Sequence, residues 1–299
     1  TSTSEFEFLT GHSMAFLPQG SVAYQQYVKK ETPSLASCLK DLGYSTVAIH
    51  PYYADGWDRD RVYPLLGFDR FLSRDDFYGA EKLRSYISDR ADFAKIIELY
   101  EEKEAGEPFF VFNVTMQNHS GYSETFANFT PSVAVEGIAS DTLNMYLSLI
   151  KETDSAFEEL IAYFSQVEED TMIVFFGDHQ PTASVSNPIL RSNGKNPDAL
   201  SEEENLLRYK VPYVIWSNFE MDQQSGLETS VNYLALDVLK NCGLPLPSYQ
   251  SALEAVREEY PVISALQIRD KEGKYLTLEE CGQEINDYQS LEYYLLFDY

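Results

Sequence analysis

The fold is decided by the stretch Met172-Ile173-Val174-Phe175-Phe176-Gly177-Asp178-His179-Gln180-Pro181. Residues 172–176 are a short continuous run of aromatic and β-branched residues, which is typical of a strand buried on both faces. Gly177 lets the chain turn where the strand ends, so Asp178 and His179 can face one point. Ligands bind at the carboxyl ends of strands in open α/β sheets. The stretch therefore predicts a buried strand that ends at a site.

Strand patterns and helical patterns alternate on both sides of this stretch. Residues 46–49, 109–114 and 211–216 are further predicted strands, and Pro212 favours a sheet edge or a strand start because it lacks a backbone donor. Between Leu143 and Phe164 eight apolar residues recur on one helical face, with Ser140 or Asp141 as the cap. Helices are also predicted to begin near Leu35 and to cover 233–239. The alternation predicts an α/β sandwich around a mostly parallel central sheet.

The last fifth of the chain is predicted to be a small antiparallel subdomain. Residues 262–268 and 275–277 flank a charged turn that contains Gly273, which is typical of a β-hairpin. The polar segment 184–205 is predicted to be a long surface loop. We therefore expect one domain, with its main part in residues 1–250 and a hairpin-and-helix appendage in residues 251–299.

Composition excludes several classes of protein. The 299 residues carry 22 Lys and Arg against 48 Asp and Glu, a formal charge of −26, so a nucleic-acid partner is not expected. Hydrophobic residues at 44% and charged residues at 23% are ordinary for a globular chain and exclude a disordered one. Three cysteines without C-x-x-C spacing support neither a disulfide scaffold nor a structural zinc site.

Asp178 and His179 are candidate metal ligands, because a carboxylate and an imidazole suit Mn²⁺, Mg²⁺ or Zn²⁺. The alternative is a solvated turn with an Asp cap. Three of the four histidines, His50, His119 and His179, follow predicted strands, so we expect them along one rim of the sheet. Each alone could be a hydrogen-bonded structural residue, but together they favour a site.

The N-terminal Thr1-Ser2-Thr3-Ser4-Glu5-Phe6-Glu7 fits two capping boxes, Ser2 with Glu5 and Ser4 with Glu7. From residue types alone it predicts a helix cap or a frayed tail.

Five segments in the same order resemble the lipoteichoic acid synthases, which are sulfatase-like phosphoglycerol transferases of the alkaline phosphatase superfamily. They are TSTSEFEFLTG (1–11), PQGSVAYQQY (18–27), HPYYADGWDRDRVYP (50–64), TMQNHSGY (115–122) and FFGDHQP (175–181). The resemblance runs to about Leu244. It implies a sulfatase/alkaline-phosphatase-like α/β fold.

The resemblance also implies roles for individual residues. Thr1 falls on the nucleophile, and the metal site falls on Thr1, Asp178 and His179. The implied ion is Mn²⁺ or Mg²⁺, with Zn²⁺ less expected. The headgroup site, spaced H-x6-W-x-R with a later histidine, falls on His50, Trp57, Arg59 and His119. His119 is also a candidate catalytic residue that stabilises or protonates a phosphate oxygen.

The implied reaction transfers glycerophosphate from the anionic headgroup of phosphatidylglycerol to a growing polyglycerolphosphate chain, through a phospho-threonine. The implied location is the extracellular face of a Gram-positive cell membrane. The alternatives are a phosphoethanolamine transferase or phosphodiesterase of the same superfamily, or an inactive acidic cell-surface binding domain.

Two features depart from the family pattern. The family's metal-binding Glu lies on a strand upstream of the threonine, whereas this sequence begins at Thr1. We therefore expect a fragment that lacks this strand and the membrane helices, and that is inactive on its own. Tyr52 stands where lipoteichoic acid synthases carry an Asp, which leaves the exact headgroup and acceptor open.

Overall fold

The computed structural model describes residues 1–298. Within them the strands are β1 (Ser45–Ile49), β2 (Arg70–Leu72), β3 (Lys82–Leu83), β4 (Tyr86–Ile87), β5 (Phe109–Asn113), β6 (Met172–Phe176), β7 (Tyr213–Ser217), β8 (Val262–Ile263), β9 (Ile268–Arg269) and β10 (Tyr275–Leu276). The α-helices are α1 (Ser2–Thr10), α2 (Ala23–Gln26), α3 (Leu35–Asp41), α4 (Arg59–Leu65), α5 (Asp89–Glu102), α6 (Asp141–Phe164), α7 (Ala183–Ser192), α8 (Glu202–Leu206), α9 (Leu234–Asn241), α10 (Ser248–Glu259) and α11 (Gln283–Tyr293).

The central sheet is parallel, with strand order β2-β1-β5. Ile49 at the end of β1 is in register with Leu72 and Asn113, so the three strands end at one edge. Next to this sheet, β6 and β7 form an antiparallel pair in which Phe176 faces Tyr213. The α/β class and its parallel central sheet are confirmed.

Helix α1 joins the parallel sheet to the β6–β7 pair. The ring of Phe8 stacks on Phe112 of β5 at 5.6 Å and lies 5.0 Å from Phe176 of β6, between ring centroids. All three belong to the largest apolar cluster, in which Phe8 and Phe112 are buried. This packing brings the start of α1 to the carboxyl end of β6.

Helix α6 forms where the periodicity predicts it and is capped by Ser140, whose side chain accepts from the Leu143 backbone N–H. The predicted apolar face is confirmed in part: Leu143, Leu160 and Phe164 are buried, whereas Ile150 is 37% exposed and the neighbouring Leu149 is buried instead. None of the helices in residues 1–298 combines the length and apolar character that a membrane span needs.

Two local predictions are wrong. Residues 184–205 are not a continuous loop, because they contain most of α7 and most of α8, and Val185 is completely buried. The N-terminal capping boxes are also absent: Thr1 is the cap of α1 without a side-chain cap bond. Glu5 and Glu7 instead bind Arg59 and the Met14 backbone N–H.

The C-terminal part is a three-stranded antiparallel sheet, β10-β9-β8, with α11 after it. The predicted hairpin is β9–β10, and β8 adds a third strand. A separate apolar cluster includes Leu253, Ile263 and Ile285. The division predicted between residues 250 and 251 falls inside α10 and stays a prediction.

Candidate active site

Gly177 lies where the chain leaves β6 and passes close to Val211. Its backbone N–H donates to the carbonyl of Pro212 at 3.1 Å, and a Cβ there would lie 3.0 Å from the Val211 side chain. A larger residue at position 177 would therefore have to displace the Val211 side chain. Beyond this turn, Ser4 of α1 donates its hydroxyl to the carbonyl of Asp178 at 2.8 Å. The turn is therefore fixed both to β7 and to α1.

Thr1, Asp178 and His179 meet at this turn. The Thr1 hydroxyl donates to Asp178 Oδ2 at 2.6 Å, and His179 Nε2 lies 3.3 Å from the same oxygen. The second carboxylate oxygen, Oδ1, accepts from the His179 backbone N–H at 2.9 Å. Since 177 residues separate Thr1 from Asp178 in sequence, the packing of α1 against β6 creates this contact.

The three side chains fit a divalent cation by their chemistry. They offer a carboxylate, an imidazole nitrogen and a hydroxyl oxygen, a donor set that suits Mn²⁺, Mg²⁺ or Zn²⁺. The side chains of Asp178, His179 and Thr1 are 39%, 61% and 24% exposed. Solvent or a substrate oxygen can therefore reach the point between them. Residues 1–298 contain no cluster of three His, Cys, Asp or Glu that could hold a metal ion, so an ion at Asp178 and His179 would need the threonine hydroxyl as its third donor.

His119 lies on an exposed loop after β5, close enough to His179 and Asp178 for their charges to act on it. Burial and the charge of His179 lower the pKa of His119. Its Nδ1 lies 3.2 Å from the hydroxyl of Tyr86 in β4. With that hydroxyl as donor, the proton of the neutral ring is on Nε2.

His50 lies below the rim rather than on its surface. It is 3% exposed, and its Nδ1 hydrogen-bonds the Val114 carbonyl at 2.8 Å. Burial lowers the pKa of His50 to about 4, with a smaller contribution from Arg59, so the ring is neutral near pH 7. Tyr52 and Tyr86 connect it to His119 through edge contacts at 6.2, 5.8 and 5.7 Å between centroids.

Trp57 is held in a strained loop before α4. Trp57 and Asp58 have φ of 60° and 59°, a left-handed conformation that non-glycine residues rarely adopt. Such strain is common where a side chain must be presented to a ligand. The indole is 44% exposed, which is unusual for tryptophan and leaves an aromatic face open.

Arg59 is buried and already paired. Its Nε donates to Glu5 Oε2 at 3.1 Å, and its Nη2 donates to Glu5 Oε1. Tyr63 donates its hydroxyl to Glu5 Oε2 at 2.7 Å, and Arg59 Nη1 donates to the carbonyl of Gly56 at 3.1 Å. The guanidinium is 2% exposed, so the structure places it beneath the Trp57 loop.

Three residues near these groups were not predicted from the sequence to belong to the site: Ser4, Arg84 and Tyr86. Ser4 lies in the recognised N-terminal segment, where its position in Ser-Glu-Phe was the available signal. Arg84 and Tyr86 lie in a segment without a recognisable motif. Only the folded chain shows that they contact the His119 loop.

The Sulfatase family profile matches residues 1–243, which is most of the chain and includes the turn after β6. The chain belongs to the Sulfatase family. The likeness to lipoteichoic acid synthases drawn from the five segments is confirmed by relatives of that name.

Two curated relatives of this Sulfatase chain illustrate the range of the family. A putative cyclic beta-1,2-glucan modification protein of Rhizobium meliloti is 32% identical over 99% of this chain and 48% of its own length. A lipoteichoic acid synthase of Staphylococcus saprophyticus is 28% identical over 59% of this chain and 27% of its own length. The chain thus spans about half the length of the first relative and about a quarter of the length of the second.

Two solved structures share the fold. The Streptococcus pyogenes phosphoglycerol transferase GacH, in complex with sn-glycerol-1-phosphate, has a TM-score of 0.71 at 21% identity, covering 98% of this chain and 72% of that one. The C-terminal periplasmic domain of EcEptC from Escherichia coli, in complex with Zn, has a TM-score of 0.54 at 14% identity, covering 91% and 80%.

Proposed function

We propose that this chain is the catalytic region of a phosphoglycerol transferase. It would move a glycerophosphate group from phosphatidylglycerol to a growing polymer of the lipoteichoic acid type, at the extracellular face of the membrane. The observation that carries the proposal is the Thr1 hydroxyl held 2.6 Å from Asp178 Oδ2, with His179 on the same oxygen. Membership of the Sulfatase family and the similarity to lipoteichoic acid synthases support it.

Thr1, Asp178 and His179 would hold the divalent ion, Mn²⁺ or Mg²⁺ before Zn²⁺. When bound, such an ion lowers the pKa of a hydroxyl and neutralises negative charge on phosphoryl oxygens. Asp178 aligns the Thr1 hydroxyl through its Oδ2, and Ser4 fixes the backbone of Asp178. A threonine hydroxyl needs such activation because it is a weak nucleophile near neutral pH.

The reaction has two displacements at phosphorus. Thr1 Oγ1 forms a bond to the phosphorus of phosphatidylglycerol while the bond to the diacylglycerol oxygen breaks, and diacylglycerol leaves with a proton. A hydroxyl of the acceptor then attacks the phosphorus, and the threonine hydroxyl is restored. His119 donates a hydrogen bond from its Nε2–H to a phosphoryl oxygen, in the tautomer in which the Tyr86 hydroxyl donates to Nδ1.

The headgroup site we propose consists of His50, Trp57, Arg59 and His119. The exposed indole of Trp57 would cover the glycerol and exclude water. Arg59 supports that loop through the Gly56 carbonyl. For Arg59 to contact the phosphate directly, its Nη1 must give up the hydrogen bond to the Gly56 carbonyl and donate to the phosphate instead. This direct contact stays a prediction.

A β-1,2-glucan is the second candidate acceptor. It follows from the name of the Rhizobium meliloti relative, a putative cyclic beta-1,2-glucan modification protein that is similar along 99% of this chain. The polyglycerolphosphate acceptor follows from the lipoteichoic acid synthases.

The proposal is tested on the full-length protein, because the chain alone is expected to be inactive, by incubating it with phosphatidylglycerol vesicles, Mn²⁺ and either acceptor and measuring diacylglycerol release and acceptor labelling. We expect both with phosphatidylglycerol, and neither in Thr1→Ala. Thr3→Ala, a change on the same helix, is the matched control and should remain active. Activity with phosphatidylethanolamine alone would identify a phosphoethanolamine transferase. Release without acceptor labelling would identify a phosphodiesterase, and no metal-dependent release would identify a binding domain.

A further inference from the structure

Arg84 lies at the tip of the β3–β4 hairpin, and its side chain points into the protein. It has φ of 57° and is 4% exposed, so a charged residue in a rarely adopted backbone conformation is buried. Asn128 fixes the tip by donating to the carbonyls of Lys82 and Arg84 at 2.9 and 3.0 Å. A strained, buried cation persists only where the surrounding structure stabilises it.

The two Nη nitrogens of the Arg84 guanidinium donate to backbone carbonyls of one loop, while its buried Nε has no hydrogen-bond partner among residues 1–298. Its Nη2 donates to Gln117 and His119 at 2.7 and 2.8 Å, and its Nη1 to Gly121 at 3.3 Å. These carbonyls belong to alternate residues around His119. Only a planar fork of several N–H donors reaches all three at once, which the single ammonium of lysine cannot do.

Other groups around Arg84 surround it without competing for its N–H donors. The rings of Tyr86, Tyr122 and Phe126 lie 5.5, 5.5 and 5.8 Å from its central carbon. Among residues 1–298 Glu124 is the one carboxylate whose charge acts on Arg84, and it forms no ion pair with it. The Nη donors of Arg84 are therefore directed to the loop.

The loop needs this support. His119 is exposed and lies outside any helix or strand. The beginning of the loop is anchored by Gln117, whose side-chain carbonyl accepts from the Asp89 backbone N–H and whose amide donates to Leu149. The carbonyls of His119 and Gly121 are held from the other side by Arg84.

We infer that Arg84 is a positioning residue for His119, holding the backbone of residues 117–121 so that the imidazole faces Asp178 and His179. The same hairpin supplies Tyr86, whose hydroxyl meets His119 Nδ1 at 3.2 Å. The hairpin thus fixes both the backbone and the ring of one residue. This inference rests on the proposed role of His119 in the transfer reaction.

The test combines kinetics with hydrogen exchange in Arg84→Met, Arg84→Lys, His119→Ala and the double variant Arg84→Met/His119→Ala. Arg90→Met is the control, because Arg90 lies on α5 directly after the hairpin and forms an exposed ion pair with Glu159 of α6. A positioned hydrogen-bond donor to a reacting oxygen contributes about 10²–10³-fold in kcat. We expect Arg84→Met to lower kcat for diacylglycerol release by about 10–100-fold, with KM changed less than about threefold. Arg84→Lys should recover part of this loss, and Arg90→Met should behave as wild type.

In the His119→Ala background, Arg84→Met should cause no further loss of kcat. Arg84→Met should also speed amide exchange in residues 117–122 while residues 1–10 and 172–181 keep their protection. Unchanged exchange in both Arg84 variants, or the same loss of kcat with and without His119, would overturn the inference. Faster exchange combined with wild-type kcat in His119→Ala would instead remove His119 from the proposed reaction.

Discussion

Two polar clusters lie one helical turn apart on α1 and differ in exposure. The rim cluster is Thr1, Asp178 and His179, whose side chains are 24%, 39% and 61% exposed. The buried cluster is Glu5, Arg59 and Tyr63, whose side chains are almost fully covered.

Both clusters contain a carboxylate, but they use it differently. In the buried cluster both oxygens of Glu5 accept bonds from protein groups, Oε2 accepting from two of them. In the rim cluster the Asp178 carboxylate shares one accessible oxygen with a hydroxyl and an imidazole. The first arrangement stabilises the fold, and the second leaves room for a cation and a substrate. Substitutions in the two clusters should therefore affect different observables.

The largest effect is expected for Thr1→Ala. Loss of a nucleophile costs about 10⁴–10⁶-fold in turnover, whereas a substitution at a partly exposed position changes stability by only about 0.5 kcal/mol. Turnover and thermal unfolding measured on the same sample check both parts. Thr1→Ser keeps the hydroxyl and should keep measurable activity. A Thr1→Ala protein with wild-type turnover would disprove the role of the rim cluster.

The next effect is expected for His179→Ala. Removing groups that merely orient metal ligands costs about 10–100-fold in metal affinity, so removal of a ligand should cost more than about 100-fold. The measurement is Mn²⁺ binding by calorimetry, with an excess of ion as an attempted rescue of turnover. An unchanged Mn²⁺ affinity would show that the ion is held elsewhere.

Glu5→Gln should affect stability first. It leaves Arg59 buried without its counter-charge, which costs about 3–5 kcal/mol. Tyr63→Phe removes one hydrogen bond to the same carboxylate and should cost about 1 kcal/mol. Chemical denaturation measures both changes, and Mn²⁺ affinity should stay within about threefold of wild type. If Glu5→Gln lost metal binding while keeping its stability, the distinction between the clusters would fail.

The smallest effect concerns pH and His50. Its pKa falls from 6.5 to about 4 on folding, mainly through burial. The unfolded chain therefore binds a proton below pH 6.5 while the native ring stays neutral. The stability from this residue is complete above pH 6.5 and is lost towards pH 4, by about 3 kcal/mol.

The difference in unfolding free energy between wild type and His50→Asn isolates this contribution, because the other buried titrating groups are common to both proteins. That difference should shrink as the pH falls from 7 to 4. A difference independent of pH would show that His50 is not buried as a neutral ring.

Much of the site could be predicted because its signals are local. The apolar run of β6, the turn at Gly177 and the adjacent Asp178 and His179 lie within eight residues. The parallel sheet explains why His50 after β1 and His119 after β5 approach one edge, whereas His179 reaches it because α1 packs on both β5 and β6. Thr1 could be assigned only through the family resemblance, since residue types alone predicted a cap.

What the sequence could not reveal depends on distant pairs. Ser2 and Glu5 have capping-box spacing, yet Glu5 binds Arg59, 54 residues away. A buried guanidinium without a counter-charge costs more free energy than a helix start without a side-chain cap. Residues 184–205 look polar, but burial of Val185 stabilises a helix there. Arg84 has no local signal, since its partners are carbonyls.

The most direct test of the account is mass spectrometry of the protein trapped during turnover with phosphatidylglycerol and Mn²⁺, followed by sequencing of the modified peptide. The account predicts a glycerophosphate adduct on Thr1, present in wild type and lost in Thr1→Ala. Headgroup transfer without an adduct, or with the adduct on another residue, would contradict it.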